Sequence, residues 1–216
     1  MHNQEETVAH WSAVARAMAR EAMQADPAHD LSHLDRVWTS ARALMSAYPQ
    51  ADGVVVAAAC YLHDLVNLPK DDPRRAQASR LSAERARALL QPAGLDARRL
   101  AAVEHAIVAH SHSAAVAPRS IEACIVQDAD RLDALGAVGL ARMFSIGGAL
   151  GRALAHPEDP LARHREPDDR RYTLDHIEIK LAGLPATMCT EAGRRMGQER
   201  LAWMRAFCER FAQEWA

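Results

Sequence analysis

The sequence predicts an all-α protein, and two observations lead there. Ala, Leu, Arg and Glu, all good helix formers, dominate the chain, while aromatic residues make up only 5% of it. No run alternates apolar β-branched residues with polar ones, the pattern a half-buried strand would show.

The elements follow in order. A first helix is expected from about Glu6 to Ala25, broken by Asp26-Pro27. Asp30 can cap a second helix that runs to about Ala47 and stops near Pro49. Asp52 can cap a third, with Gly53 to Val66 as its body. The stretch Val54-Val55-Val56-Ala57-Ala58-Ala59-Cys60-Tyr61-Leu62 is apolar on every face, which marks a buried central helix. A charged loop from Pro69 to Pro73 leads to helices at Ala76–Leu90 and Ala97–His110, separated by Pro92-Ala93-Gly94. After Pro118 a helix begins near Ser120 and continues toward Leu150 with a break, weakened at its end by Gly147, Gly148 and Gly151. The three prolines and many charges of His156–Arg171 read as an exposed loop. Helices at about Leu174–Ala182 and Thr187–Trp215 complete the chain. No internal repeat occurs, and one domain over residues 1–216 is the economical reading, its core at about 26–150 with the C-terminal helices 172–215 packed on it.

Composition narrows the function. A formal net charge of -2 gives no global attraction to nucleic acid polymers or anionic membranes, so any phosphate-binding charge must be local. No apolar run approaches the roughly 18 residues of a membrane span. Cys60, Cys124, Cys189 and Cys208 stand apart with no C-x-x-C pair, and a reducing cytoplasm is the simplest compartment for them. No Gly-x-Ser-x-Gly elbow, Walker A loop or dinucleotide-binding glycine pattern occurs.

Four separated residues carry the chemistry: His33, the pair His63-Asp64, and Asp130 within Gln127-Asp128-Ala129-Asp130-Arg131-Leu132-Asp133. Two imidazoles and two carboxylates suit a hard or borderline divalent cation that activates water for attack on phosphorus. The dipeptide His-Asp alone says little, since His29-Asp30 repeats it. His63-Asp64 differs because it closes the buried helix, where an ionised carboxylate beside an imidazole needs compensation. Phasing of the segment Ile121–Asp133 does not single out one aspartate. Ile121, Cys124, Ile125 and Leu132 share a face with Asp128, while Asp130 points nearly the opposite way, and an inward carboxylate could equally be a structural cap.

In this order, His33, His63-Asp64 and Asp130 resemble the H…HD…D pattern of the HD-domain metal-dependent phosphohydrolase superfamily, whose last aspartate follows alanine as in Ala129-Asp130-Arg131-Leu132. The likeness extends to His29-Asp30, Arg36-Val37, Leu62-His63-Asp64, Asn67-Leu68-Pro69-Lys70, Ala78-Ser79, His110-Ser111 and Asp128 through Gly136, covering roughly Ala28 to Trp215. It implies an HD-type helical bundle and assigns the metal to His33, His63, Asp64 and Asp130. It further implies one divalent cation, Mn²⁺ being favoured over Mg²⁺, Ni²⁺, Co²⁺, Fe²⁺ or Zn²⁺. The branch is similar to pyrophosphohydrolases that convert (deoxy)nucleoside triphosphates to monophosphate and pyrophosphate. An HD-type phosphatase or phosphodiesterase on another phosphate ester is the first alternative. A non-catalytic helical module that binds a nucleotide or a protein is the second.

The remaining polar residues take subsidiary roles. Lys70, six residues beyond Asp64, and Arg80 can steady a phosphate chain, with Arg131 counted in the same group. Asn67, one helical turn after Asp64, can bond water or a phosphate; some HD enzymes carry an acid there. Asp64, Asn67 and Lys70 are therefore the candidate catalytic residues. His110 is the histidine best placed to approach substrate, and His29 faces the same way as His33 one turn earlier. The apolar stripe Leu201, Trp203, Met204, Phe207, Phe211 and Trp215 serves the core, with a homodimer seam as its alternative use.

Overall fold

The computed structural model describes residues 2–23, 31–68, 72 and 74–215. Among these the architecture is all-α: α1 (His2–Met23), α2 (Leu31–Met45), α3 (Gly53–Leu62), α4 (Ala78–Leu90), α5 (Ala97–His110), α6 (Ile121–Asp133), α7 (Gly136–Ala149) and α8 (Glu191–Trp215). The sole β-type pairing among the described residues is an isolated bridge between Ala153 and Tyr172. No single described helix is long and apolar enough to cross a membrane. The Asp26-Pro27 break, His29, the expected cap Asp30, and Lys70 lie outside the described residues.

The chain divides into two compact units, Met1–Asp130 and Arg131–Ala216. In the first unit α3 is the axis, and all ten of its residues are buried. It packs against α1, α2 and α5, while α4 lies on α5. Its apolar composition on all sides requires such wrapping. Trp11, Ala15 and Ala19 form the buried stripe of α1. The two helices approach closely at Gly53, where a Cβ would stand 2.9 Å from Val8 Cγ2. Asp52 caps α3 as the sequence indicates, its Oδ1 accepting from Val54 N at 3.0 Å.

The third helix ends earlier than Val66. It stops at Leu62, and side chains of α4 take over the backbone beyond it. Val66 N donates to Ser82 Oγ at 3.0 Å, and Arg85 Nη1 donates to Leu65 O at 3.1 Å. Asn67 therefore sits in a non-helical, exposed segment rather than one helical turn after Asp64. The short 3₁₀ turn Arg75–Gln77 precedes α4 and lies against a second 3₁₀ turn, His112–Ala114, that follows α5. Within the loop Arg74 pairs with Asp72 at 2.9 Å, and Arg75 Nη1 donates to Leu68 O at 2.6 Å.

In the second unit the expected break between α6 and α7 falls at Gly136, whose φ of 75° is a left-handed conformation suited to glycine. α7 packs on α8. The segment 156–171 is irregular but only partly exposed. Asp159 accepts from the N–H groups of Arg163 (3.0 Å) and His164 (2.8 Å), and Arg165 forks onto Asp175 at 2.6 and 2.7 Å. The expected helix at Leu174–Ala182 is a single π-type turn, Ile177–Leu181, closed by Ala182 N donating to Ile177 O at 2.7 Å. The last helix starts at Glu191 rather than Thr187, because Thr190 caps it through Gly193 N at 2.9 Å and Leu184–Thr187 form a 3₁₀ turn before it.

Candidate metal centre

His63 follows the last residue of α3 in helical conformation and is fully buried. Its Nδ1 donates to Cys60 O at 2.9 Å. A carbonyl can only accept, so Nδ1 carries a proton and Nε2 is the nitrogen that faces inward. His110 ends α5 in the same manner, with Nδ1 donating to Ile107 O at 2.5 Å. His33 stands in the first turn of α2, and Asp130 in the last turn of α6.

These residues meet. Asp64 Oδ2 lies 3.3 Å from His63 Nε2 and 4.0 Å from His33 Nε2. Asp130 Oδ1 lies 3.5 Å from His33 Nε2 and 3.7 Å from His63 Nε2. His110 Nε2 adds a contact of 3.7 Å to Asp64 Oδ1, and its ring crosses that of His63 edge-on at 4.7 Å between centroids. Ligand atoms bonded at about 2.1 Å to one ion stand about 3.0–3.5 Å apart when adjacent, and about 4.2 Å apart when opposite. The observed separations fall in that range. They form two overlapping ligand groups, His33–His63–Asp64 and His63–His110–Asp130, joined at His63.

The electrostatics call for a cation. α3 and α5 both end at this cluster, so the negative ends of two helix dipoles point into it alongside two carboxylates. Burial works against a charged His63, but Asp64 and then Asp130 outweigh it and raise its pKa to about 9. The field that draws a proton onto His63 would draw a divalent cation more strongly, displacing that proton. Burial pushes the Asp64 carboxyl upward, yet His63, His110 and His33 hold it well below the usual carboxylate range. His110, buried and beside His63, is pushed down instead. His63 Nε2 is a buried polar atom with no hydrogen-bond partner, which is costly unless something else satisfies it. A divalent cation fits that donor set and that orphaned atom. One flank of the cluster is closed, with no exposed surface on the His63 side chain, while Asp64 keeps 45% of its side chain open to solvent.

The structure thus brings together His33, His63, Asp64 and Asp130, and adds His110 to them. The signal for His110 was present in the chain: Leu100, Val103 and Ile107 are buried at helical spacing, and His110 continues their face. Asp128, which shares the apolar face of α6, is fully buried away from the ligand set, and Asp130 is the aspartate that joins it. Arg80 is exposed on α4 and Asn67 is exposed beyond Asp64. Arg131 Nη1 donates to Thr187 O at 2.5 Å and to Thr187 Oγ1 at 3.1 Å, so its guanidinium is engaged within the second unit. Other histidines have structural bonds: His105 Nε2 accepts from Arg119 N at 2.9 Å, and His176 lies 2.6 Å from Asp169 Oδ2.

Comparison with known proteins agrees with this geometry. Residues 30–135, which hold the whole cluster, match the HD domain family model. An uncharacterized Bacillus subtilis protein, YpgQ, is 32% identical over 190 residues, spanning 86% of this chain and 84% of its own. The crystal structure of YpgQ in complex with ADP is similar with a TM-score of 0.75 and 29% identity over 96% of both chains. An HD-superfamily hydrolase from Bacillus thuringiensis is similar with a TM-score of 0.74 and 29% identity over 98% of both. Fold, cluster and kinship agree: the chain belongs to the HD-domain superfamily of metal-dependent phosphohydrolases.

Proposed function

We propose that this protein hydrolyses nucleoside or deoxynucleoside triphosphates to the monophosphate and pyrophosphate. The observation that carries the reading is the convergence of His33, His63, Asp64 and Asp130, in which His63 Nε2 has no hydrogen-bond partner. The ADP complex of YpgQ supports a nucleotide as the ligand class.

His33, His63, Asp64 and Asp130 would hold one divalent cation, with Mn²⁺ favoured. When bound it supplies Lewis acidity toward a phosphoryl oxygen and lowers the pKa of water at the site. The chain's own groups do the rest. The bond from His63 Nδ1 to Cys60 O fixes the ring so that its other nitrogen faces the site. Asp64, on the open flank, orients the attacking water. His110 completes the ring of donors and faces the phosphate chain. Water oxygen joins the α-phosphorus, the bridge bond from the α-phosphorus breaks, and pyrophosphate leaves with the bridging oxygen.

Lys70, Arg80 and Asn67 are assigned to the phosphate chain, with His29 and Arg131 as further substrate contacts. The packing of the 3₁₀ turn Arg75–Gln77 against the turn just after His110 supports Arg80, because it brings the start of α4 to the end of α5. A reducing cytoplasm suits cysteines that stand apart along the sequence with no C-x-x-C pair.

The test is product identity. Purified protein with Mn²⁺ is given mono-, tri- and cyclic nucleotides, with separate phosphate and pyrophosphate readouts. Pyrophosphate from triphosphates is the predicted result. Inorganic phosphate alone from every nucleotide would overturn the pyrophosphohydrolase assignment and favour a phosphatase. Turnover of cyclic nucleotides alone would favour a phosphodiesterase.

A further inference from the structure

Two residues beside the ligand set make a contact that the reaction does not use. Asp35 follows His33 by two positions on α2, and Tyr61 precedes His63 by two at the end of α3. A two-residue step on a helix turns a side chain to nearly the opposite side. Asp35 and Tyr61 therefore leave their helices away from the cluster, yet they still meet each other. Tyr61 Oη donates to Asp35 Oδ1 at 3.0 Å. Arg16 of α1 forks onto the same carboxylate, Nε to Oδ1 at 2.7 Å and Nη2 to Oδ2 at 2.8 Å. One carboxylate thus receives three hydrogen bonds from two other helices.

We propose that Arg16, Asp35 and Tyr61 form a positioning clamp that sets the separation of His33 and His63. Pinning α2 to α3 on the face away from the cluster restrains their spacing on the face that bears the ligands. Apolar packing already holds α1 against α3, through Ala15 and Ala19. Such packing is non-directional and tolerates small shifts. A forked guanidinium–carboxylate pair fixes an angle as well as a distance. As an isolated, partly exposed ion pair it would add little to stability. Its effect is thus expected in the geometry of the metal ligands more than in the melting temperature. The clamp lies on the far side of the ligand-bearing helices, so these three residues are positioning residues and touch neither metal nor substrate.

The inference rests on the metal-centre reading above, and the experiment separates the two. Mn²⁺ is titrated calorimetrically into full-length wild type and into the Tyr61→Phe, Asp35→Asn, Arg16→Gln and Arg16→Lys variants. Arg99→Gln serves as comparator, since it breaks an ion pair at the other end of α3. Tyr61→Phe and Arg16→Gln are expected to raise the Kd for Mn²⁺ roughly fivefold and Asp35→Asn roughly tenfold, at or below the loss typical of a partner bonded directly to a ligand. Arg16→Lys should recover only part of the affinity, because an ammonium cannot fork. Saturating Mn²⁺ should restore kcat in Tyr61→Phe. Arg99→Gln should keep wild-type affinity. Unchanged affinity in Tyr61→Phe would overturn the clamp, whether or not Asp35→Asn folds. So would a rise in Kd in Arg99→Gln that matches Tyr61→Phe at equal melting temperature. Wild type that binds no Mn²⁺ would overturn the metal reading and the clamp together.

Discussion

The two ends of α3 each carry an aspartate, and they are built on opposite terms. At the N-terminal end the groups of the aspartate are answered. Asp52 Oδ1 caps Val54 N, its Oδ2 accepts from Arg99 Nε at 2.8 Å, and its own N–H donates to Glu122 Oε1 at 3.0 Å. The carboxylate there also meets the positive end of the helix dipole. At the C-terminal end Asp64 meets the negative end, beside a second carboxylate and a buried imidazole nitrogen with no hydrogen-bond partner. A helix end that stabilises the fold satisfies its own polar groups. One that serves chemistry leaves an electrostatic demand for something the chain does not supply. Here that demand has the sign and the donor set of a divalent cation.

Breaking the C-terminal end should have the largest effect. His63→Ala and Asp64→Ala should each abolish bound metal and turnover, read by elemental analysis and by nucleotide hydrolysis. Full activity in both would remove the site assignment. Breaking the N-terminal end should act on stability instead. Asp52→Ala should lower unfolding free energy by about 1–2 kcal/mol, the usual loss on removing a helix cap, while metal stays at one ion per chain. Loss of metal from a folded Asp52→Ala protein would erase the distinction between the two ends.

The smallest effect is a pH dependence at the satisfied end. Arg99 lies within 3.4 Å of Asp96 as well as bonding to Asp52, and Asp96 caps α5. The Arg99 N–H, with help from its charge and from Arg98, holds the Asp96 carboxyl below the usual range despite some desolvation. The folded value is thus below the unfolded value of about 3.9. The stabilisation is complete above that unfolded value and is lost as pH falls through the folded one. Asp96→Asn keeps a capping oxygen but does not titrate. Its deficit in melting temperature at pH 7 should shrink as both proteins are acidified toward about pH 3. A gap constant with pH would show that Asp96 is not held in this way.

Much of the first unit could be read in the chain because its information is periodic. α5 has the expected bounds Ala97–His110, and the all-round apolar run of α3 is wholly buried. Asp130 was not legible from phasing. Asp128 shares the apolar face and is buried as that face requires, whereas Asp130 leaves the helix on the other side to reach His33 and His63. Family resemblance, not periodicity, distinguished them. The early end of α3 was hidden because Ser82 and Arg85, far along the sequence, take the backbone groups beyond it. The second unit was the least legible. Between α7 and α8 its conformation depends on single side chains bonding to backbone or to each other. Asp159 accepts from two N–H groups, and Asp175 accepts both the Arg165 fork and Asp168 N at 2.7 Å. Contacts of that kind leave no repeat to find.

Anomalous diffraction at the manganese edge, from crystals grown with Mn²⁺, would locate the ion without reference to activity. One strong peak is expected at about 2.0–2.3 Å from His63 Nε2. His33 Nε2 and carboxylate oxygens of Asp64 and Asp130 should lie at similar distances. No peak at that position, or a peak bonded to other residues while His63 Nε2 stays unpartnered, would contradict the site assignment.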